Sequence, residues 1–340
     1  GNPIIRTGSI GGGKTNNSTG KIGSANIEIS GGDIQAQFVM AKGSSVAPYF
    51  EMTGGWIRNS YTNDDEYYHV QDKGGAVYMD FGQCQIKGGV IDNCYGVKGG
   101  AIYINGDTTT TFFVMNNGII RNCIAAGDGG AICLEGGEVE ISGGTITDNM
   151  ANGGNGGGIS IIDGNFDMSN TALITRNSSL YNTTTGLGGN GGGVYITSTD
   201  SKVRVNMTAG SITENSSDRT GGGVCVDMTG NDNSATVTVG GVVSLTDTIN
   251  PTISNNNTIL SGGGLYVSGA NANVVINSGK IYYNSTAAFV DNEDVANELG
   301  MVKLSGGKLQ HAVVTFHGNG GFYTKDDVDY YTAVQNIVTA

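Results

Sequence analysis

The sequence predicts an all-β chain wound as a parallel solenoid, with three strands per coil and about ten coils. Apolar-x-apolar triplets recur down the chain, Gly-rich corners separate them, and an Ile followed by Asn returns between them in fixed order. Period-2 alternation means strand. One such unit cannot bury its own apolar face, whereas stacked units share a continuous core.

The first segment of each unit is a triplet such as Ile27-Glu28-Ile29, Phe50-Glu51-Met52, Cys84-Gln85-Ile86, Phe113-Val114-Met115, Val139-Glu140-Ile141, Phe166-Asp167-Met168, Val205-Asn206-Met207, Val274-Val275-Ile276 and Val302-Lys303-Leu304. The second is an Ile with an Asn two or three residues on, from Ile57/Asn59 and Ile91/Asn93 to Ile253/Asn256 and Ile281/Asn284. The third is Gly-Gly-Ala or Gly-Gly-Gly before another triplet: GGAVYM from Gly74, GGAIYI from Gly99, GGAICL from Gly129, GGGISI from Gly156, GGGVYI from Gly191, GGGVCV from Gly221 and GGGLYV from Gly262. Gly suits corners that need positive φ or close backbone approach. Asn tolerates left-handed geometry, and its amide can bond the Asn of the next coil, so the Asn column is expected to be a structural ladder.

In-register stacking turns repeat positions into rows. The middle residue of the third segment is expected to face outward, giving Tyr78, Tyr103, Cys133, Ser160, Tyr195, Cys225 and Tyr266. Such a row either stacks for stability or offers sugar-stacking surface. Arg58, Asp92, Arg121, Asp148, Arg176 and Glu214 alternate in sign and are expected to form an ion ladder between coils. Cys94 and Cys123 follow the Asn column and should stack in adjacent coils, in a row otherwise held by Ser60, Ser178, Ser216 and Ser285.

Composition narrows the function classes. Glycine is 59 of 340 residues, against a usual share of about 7%, yet with 3 Pro and no Gly-X-Y period the chain is not collagen. The net charge of -13 disfavours nucleic acid and anionic lipid as partners. No apolar run is long enough for a membrane helix, so no membrane insertion is expected. No signal-peptide pattern opens the chain, which says little about export. Five cysteines without a CxxC motif read as free buried thiols rather than a zinc site or disulfide framework.

The GGA[ILV] blocks alternating with I-x-x-N, as in Ile146-Thr147-Asp148-Asn149 and Ile212-Thr213-Glu214-Asn215, resemble the GGA[ILV]/FxxN repeats of chlamydial polymorphic outer membrane proteins over roughly residues 50–290. The resemblance implies a surface-exposed adhesin region. Family precedent for three strands per coil implies a right-handed, single-stranded, pectate-lyase-like β-helix. The N-terminal SIGGGKTNNSTGKIGSANIEISGGDIQA looks like Gly-rich repeats of secreted surface proteins in gut bacteria. Val314-Thr315-Phe316-His317-Gly318-Asn319-Gly320-Gly321 is similar to the opening of the Listeria–Bacteroides repeat, a small β-grasp-like module. The expected organisation is a β-helix over 1–310, with residues 1–25 as cap or first coil and 285–300 as a capping insertion, then a C-terminal cap or truncated repeat over 311–340.

Many β-helices cleave acidic polysaccharides, but no aspartate cluster accompanies a Gly-His-Gly, and the histidines are His69, His311 and His317. The best carboxylate pair for glycoside cleavage is Glu140 with Asp167, in consecutive coils. The loop Ser60–Lys73 gathers Tyr61, Tyr67 and Tyr68 with Asp64, Asp65 and Glu66, a set suited to sugar and, more weakly, to Ca²⁺. The sequence therefore leads to an extracellular or cell-surface bacterial protein, a monomer without cofactor, binding glycan or a host surface protein through the Tyr row and this loop. The rival is a polysaccharide lyase or glycoside hydrolase.

Overall fold

The computed structural model describes residues 4–10, 26–40, 47–58, 73–200, 202–230, 232–241 and 250–286, with the strands at 302–305, 308–311 and 316–317. No helix occurs among them. The chain is a parallel β-helix in which the strands of each stack pair with their counterparts one coil on, while the short strand Leu187–Gly188 pairs antiparallel with Ser178–Asn182.

Three long stacks correspond to the three segments of the repeat. The first runs through Tyr49–Met52, Gly82–Ile86 and Thr111–Met115 to Ala272–Ile276 and Lys308–His311. The second carries the repeated Ile, stacked as Ile57, Ile91, Ile120, Ile146, Ile174, Ile212, Ile253 and Ile281. The third carries the triplets after Gly-Gly, from Val77–Met79 and Ile102–Ile104 to Leu265–Ser268 and Val302–Ser305. Val302-Lys303-Leu304 therefore belongs to the third stack, not the first where its spacing had put it. A fourth stack of short strands, from Tyr95–Gly96 to Ser285–Thr286, links second to third. Ile4–Ile10 pairs with Asp33–Met40, and Phe316–His317 with Lys280–Tyr282. Residues 287–301 and 318–340 lie outside the described residues, and with them all of the expected capping insertion 285–300 except Ser285 and Thr286, which form a strand of the fourth stack.

Alternate side chains of every long stack point inward. Phe38, Phe50, Phe113 and Phe166 are fully buried there with the Ile column and a series of Met, Val and Ile. At about 25 cal/mol per Å² of apolar area, this continuous column is the main stabilising term.

Two adjacent slots follow the Ile, and the Asn column divides between them. The slot two residues on adopts positive φ in Asn93, Asn122, Asp148, Arg176, Glu214, Asn255 and Tyr283. The slot three residues on is buried and holds the ladder: Asn149, Asn177, Asn215, Asn256 and Asn284. Each of the first four donates from Nδ2 to Oδ1 of the next, at 2.9–3.0 Å. Each of the five also donates to the carbonyl of the preceding coil's Ile. Each acceptor Oδ1 additionally takes a backbone N–H, as in Asn149 N to Asn177 Oδ1 at 3.0 Å. These buried amides are fully satisfied, as burial demands.

Cys94 and Cys123 occupy the ladder slot, aligned with Asn149; Ser178 and Ser216 stack instead on Tyr95, Ile124 and Met150. All five cysteines are free and buried. The ion row is likewise split between two positions. Arg58, Asp92 and Arg121 share strand register, but Arg121 is opposite Thr147 while Asp148, Arg176 and Glu214 sit at the corner. The expected continuous ladder is therefore a set of pairs: Arg58–Asp33, Arg121–Asp92 at 3.3 Å and Arg176–Asp148 at 2.9 Å.

The Gly-Gly corner needs each glycine for a different reason. Gly191 has φ +65. A Cβ on Gly192 would lie 2.3 Å from the Ser216 carbonyl oxygen and 2.5 Å from that of Gly222 in the next coil.

Candidate functional site

A cleft of about 460 Å³ lies over the outer face of the third stack. Its floor includes Tyr195. One wall is the corner before the third strands, with Lys98, Asp128 and Asn155. The other is the corner after them, with Asn105, Glu135, Ile162, Asp163, Thr197, Thr199 and Asp200. At Ile132–Ile141 and Ile159–Met168 the third segment runs on into the next first segment through register shifts around Glu135, which places Glu135 and Asp163 on that wall.

The middle row of the third segment is in register as expected, but it is covered rather than exposed. Tyr103, Cys133, Ser160 and Cys225 are fully buried, and Tyr195 is 9% exposed. Tyr78 and Tyr266 are half-buried. Tyr78 stacks on Tyr103, ring centroids 5.5 Å apart, while Cys133 and Ser160 separate that pair from Tyr195. The cover comes from the walls: Lys73 Nζ lies 4.3 Å from the Tyr103 ring centroid and donates to its hydroxyl at 2.6 Å. An outward row between two raised corners becomes a cleft floor, so no continuous aromatic surface forms.

The walls have their own bonding. Tyr103 Oη donates to Glu135 Oε2, Lys98 Nζ donates to Glu135 Oε1, and Lys73 Nζ reaches Oε2 at 3.4 Å. Burial would raise the Glu135 carboxyl, but the hydrogen bonds from Lys98 and Tyr103 hold it below the usual range. Burial works against the Lys98 charge, and Glu135 overrides it, holding the ammonium above its ordinary value. Burial, then the hydrogen bond to Glu135, pushes the Tyr103 phenol far up and keeps it protonated. Asp163 accepts from Ser198 Oγ at 3.1 Å, from Thr199 Oγ1 at 2.6 Å and from the Thr199 and Asp200 amides at 3.3 Å, so it fastens that loop.

Asp128 Oδ1 accepts from the Asn155 backbone N–H at 2.8 Å; Asn155 Oδ1 accepts from Asn190 Nδ2 at 2.9 Å, and Asn190 Oδ1 from Thr220 Oγ1 at 2.8 Å. This is a second, shorter side-chain ladder, built from the residue before each Gly-Gly. Burial pushes the Asp128 carboxyl up, and the neighbouring Glu135 charge adds to it, against lowering by Asn155 and Lys98.

Glu140 and Asp167 are register partners on the outer face of the first stack, on a different stack from the cleft. Glu140 is exposed, and Asp167 is bound by Arg204 Nη1 at 2.7 Å and Asn206 Nδ2 at 2.8 Å. Tyr61, Tyr67, Tyr68, Asp64, Asp65 and Glu66 lie outside the described residues. Among the described residues no group of three or more His, Cys, Asp or Glu is placed to hold a metal ion, and no helix is long and apolar enough to cross a membrane.

Sequence reasoning missed Lys98, Asp128 and Asn155, although a signal existed: each immediately precedes a Gly-Gly. Glu135 and Asp163 carry no such mark, because the corner after the third segment varies in length. No family model, curated protein or solved structure matches the chain.

Proposed function

We propose that the protein is a non-catalytic, extracellular or cell-surface bacterial protein of adhesin type, and that its cleft binds glycan. The observation that carries this reading is the lining of the cleft. Asn105 and Thr197 offer amide and hydroxyl groups, carboxylates add acceptors, and Tyr195 supplies aromatic edge. Concave sites with a few convergent polar groups suit small ligands, and this set complements sugar hydroxyls.

A glycoside hydrolase is the second reading, favoured by one observation: Asp128 and Glu135 line one cleft and their carboxyls are displaced in opposite directions. Opposed carboxylates are the pattern of an acid and its partner. Against it, both Glu135 oxygens are engaged by Lys98, Lys73 and Tyr103. A lyase needs a base, and the buried phenol of Tyr103 is held protonated.

A glycan array, run beside assays for reducing ends and for unsaturated products, tests the reading. Binding without turnover is the expected result, lost on Asn105→Ala with Thr197→Ala. Turnover of any polysaccharide overturns the non-catalytic reading, and the absence of binding to every glycan overturns the glycan reading.

A further inference from the structure

We propose that the cleft selects an amino sugar, with the protonated amine held by Asp128 and with Asp200 on the opposite wall adding to the attraction. This rests on the reading of the cleft as a glycan site. The lining carries one lysine, Lys98, against Asp128, Glu135, Asp163 and Asp200, a formal balance of 1 − 4 = −3.

The charges are not equally available. Lys98 and the adjacent Lys73 are both turned onto Glu135. Asp163 is committed to the 198–200 loop. Asp128, by contrast, has Asn155, a neutral group, as its hydrogen-bonding partner. Its carboxyl is raised because burial and the Glu135 charge outweigh what Asn155 and Lys98 supply. An arriving cation supplies the missing positive charge where solvent screening is weak. Asp200 is exposed on the same cleft and uses its backbone amide, not its carboxylate, to hold Asp163.

The same arrangement rejects uronates, the acidic sugars. Their carboxylates would meet Asp128 and Asp200 while both nearby lysines are turned onto Glu135, and like charges brought together repel. A lysine side chain also carries an ammonium. It would leave Asn105 and Thr197 without hydroxyl partners, whereas a pyranose ring supplies hydroxyls next to its amine.

The test is calorimetric titration of the full chain with four probes, at a pH where the amine is protonated. They are a β-1,4-linked glucosamine hexamer, its N-acetylated counterpart, oligogalacturonate and hexalysine. The glucosamine hexamer is expected to bind about tenfold more tightly than the acetylated one, with affinity falling as salt rises. Oligogalacturonate and hexalysine are expected not to bind measurably. Asp128→Asn should erase the preference for the free amine, and Asp200→Asn, on an exposed residue that leaves the fold intact, should reduce it two- to fivefold. Equal affinity for the acetylated oligomer overturns the amine selection while leaving glycan binding standing. Tighter binding of hexalysine overturns it in favour of a basic peptide. Binding of oligogalacturonate overturns the charge argument. If none of the oligosaccharides binds and a wider glycan array is also blank, the glycan reading itself fails.

Discussion

Asn177 shows how closely the fold depends on single side chains. Its Oδ1 accepts from both the backbone and the side chain of Asn149, while its Nδ2 donates to the Ile146 carbonyl and to Asn215. Asn177→Ala leaves Asn149 with two buried donors and Ile146 with a carbonyl deprived of that bond. At about 1–3 kcal/mol for each buried orphan, partly relieved by relaxation, a loss of about 3–5 kcal/mol is expected in urea unfolding. A loss below about 1 kcal/mol would show that the ladder contributes little. Asp128 gives a prediction of opposite sign. Its carboxyl is raised in the folded protein, so the folded state binds this proton more tightly than the unfolded chain, whose value is about 3.9. Stability therefore falls as pH rises from that value through the folded one. Asp128→Asn should stabilise the protein at pH 7 and give no gain at pH 3, as read from melting curves; a pH-independent effect would contradict the assignment. At this scale the sequence was only partly legible. Ile91-Asp92-Asn93-Cys94 and Ile146-Thr147-Asp148-Asn149 look like one motif with a sliding Asn, but each has a left-handed slot followed by a ladder slot. Asp148, Arg176 and Glu214 hide the first slot, because non-Asn residues are uncommon at positive φ.

The strands themselves were legible because period-2 alternation and Gly-Gly punctuation agree at nearly every coil. The Ala235–Val239 strand, between Val203–Met207 and Ala272–Ile276, went unread; it lacks the Met or Ile ending of most of its neighbours. The corners also have steric rules that can be tested. Where the ladder slot is Cys94 or Cys123, the third residue of the corner is Ala101 or Ala131; where it is Asn149, Asn177 or Asn215, it is Gly158, Gly193 or Gly223. A Cβ on Gly193 would lie 2.6 Å from the Gly223 carbonyl oxygen and 3.0 Å from Asn215 Nδ2. The second glycine is tighter still. Gly192→Ala should cost about 3 kcal/mol or more, since backbone of the next coil must move. Gly31→Ala is the control: its Cβ meets nothing within 4 Å and its φ is not positive, so a change within about 0.5 kcal/mol of neutral is expected. Equal loss at both sites would remove the close-approach argument. The cleft was less legible than the strands. Its floor follows the repeat, but its far wall depends on Glu135, Asp163 and Asp200, whose corner differs in length from coil to coil.

A solenoid in which each coil pairs with its neighbours has stability close to a sum of coil and interface contributions. Ile146 and Ile174 occupy the same register position in consecutive coils. Deleting residues 146–173 joins Thr145 to Ile174 and removes one whole turn, with one rung of the ladder, Asn149. The strands on either side can still pair, because Thr145 and Leu173 are themselves register partners. The shortened chain is expected to stay folded and cooperative, with the same β-type circular dichroism and a melting temperature lower by a few degrees. Deleting residues 160–173 instead joins the third stack directly to the second and omits a first-stack strand, so Glu138 to Ile141 lose Asn165 to Met168 as partners. That chain is expected to expose unpaired strand edge and aggregate. The pair of deletions also separates scaffold from site. The whole-coil deletion keeps the core column but removes Asn155, Ile162 and Asp163 from the cleft. It should therefore abolish glycan binding while leaving a folded rod. If binding survives in that rod, the ligand sits elsewhere on the molecule; if the rod itself fails to fold, coils are not the independent stacking units that the register describes.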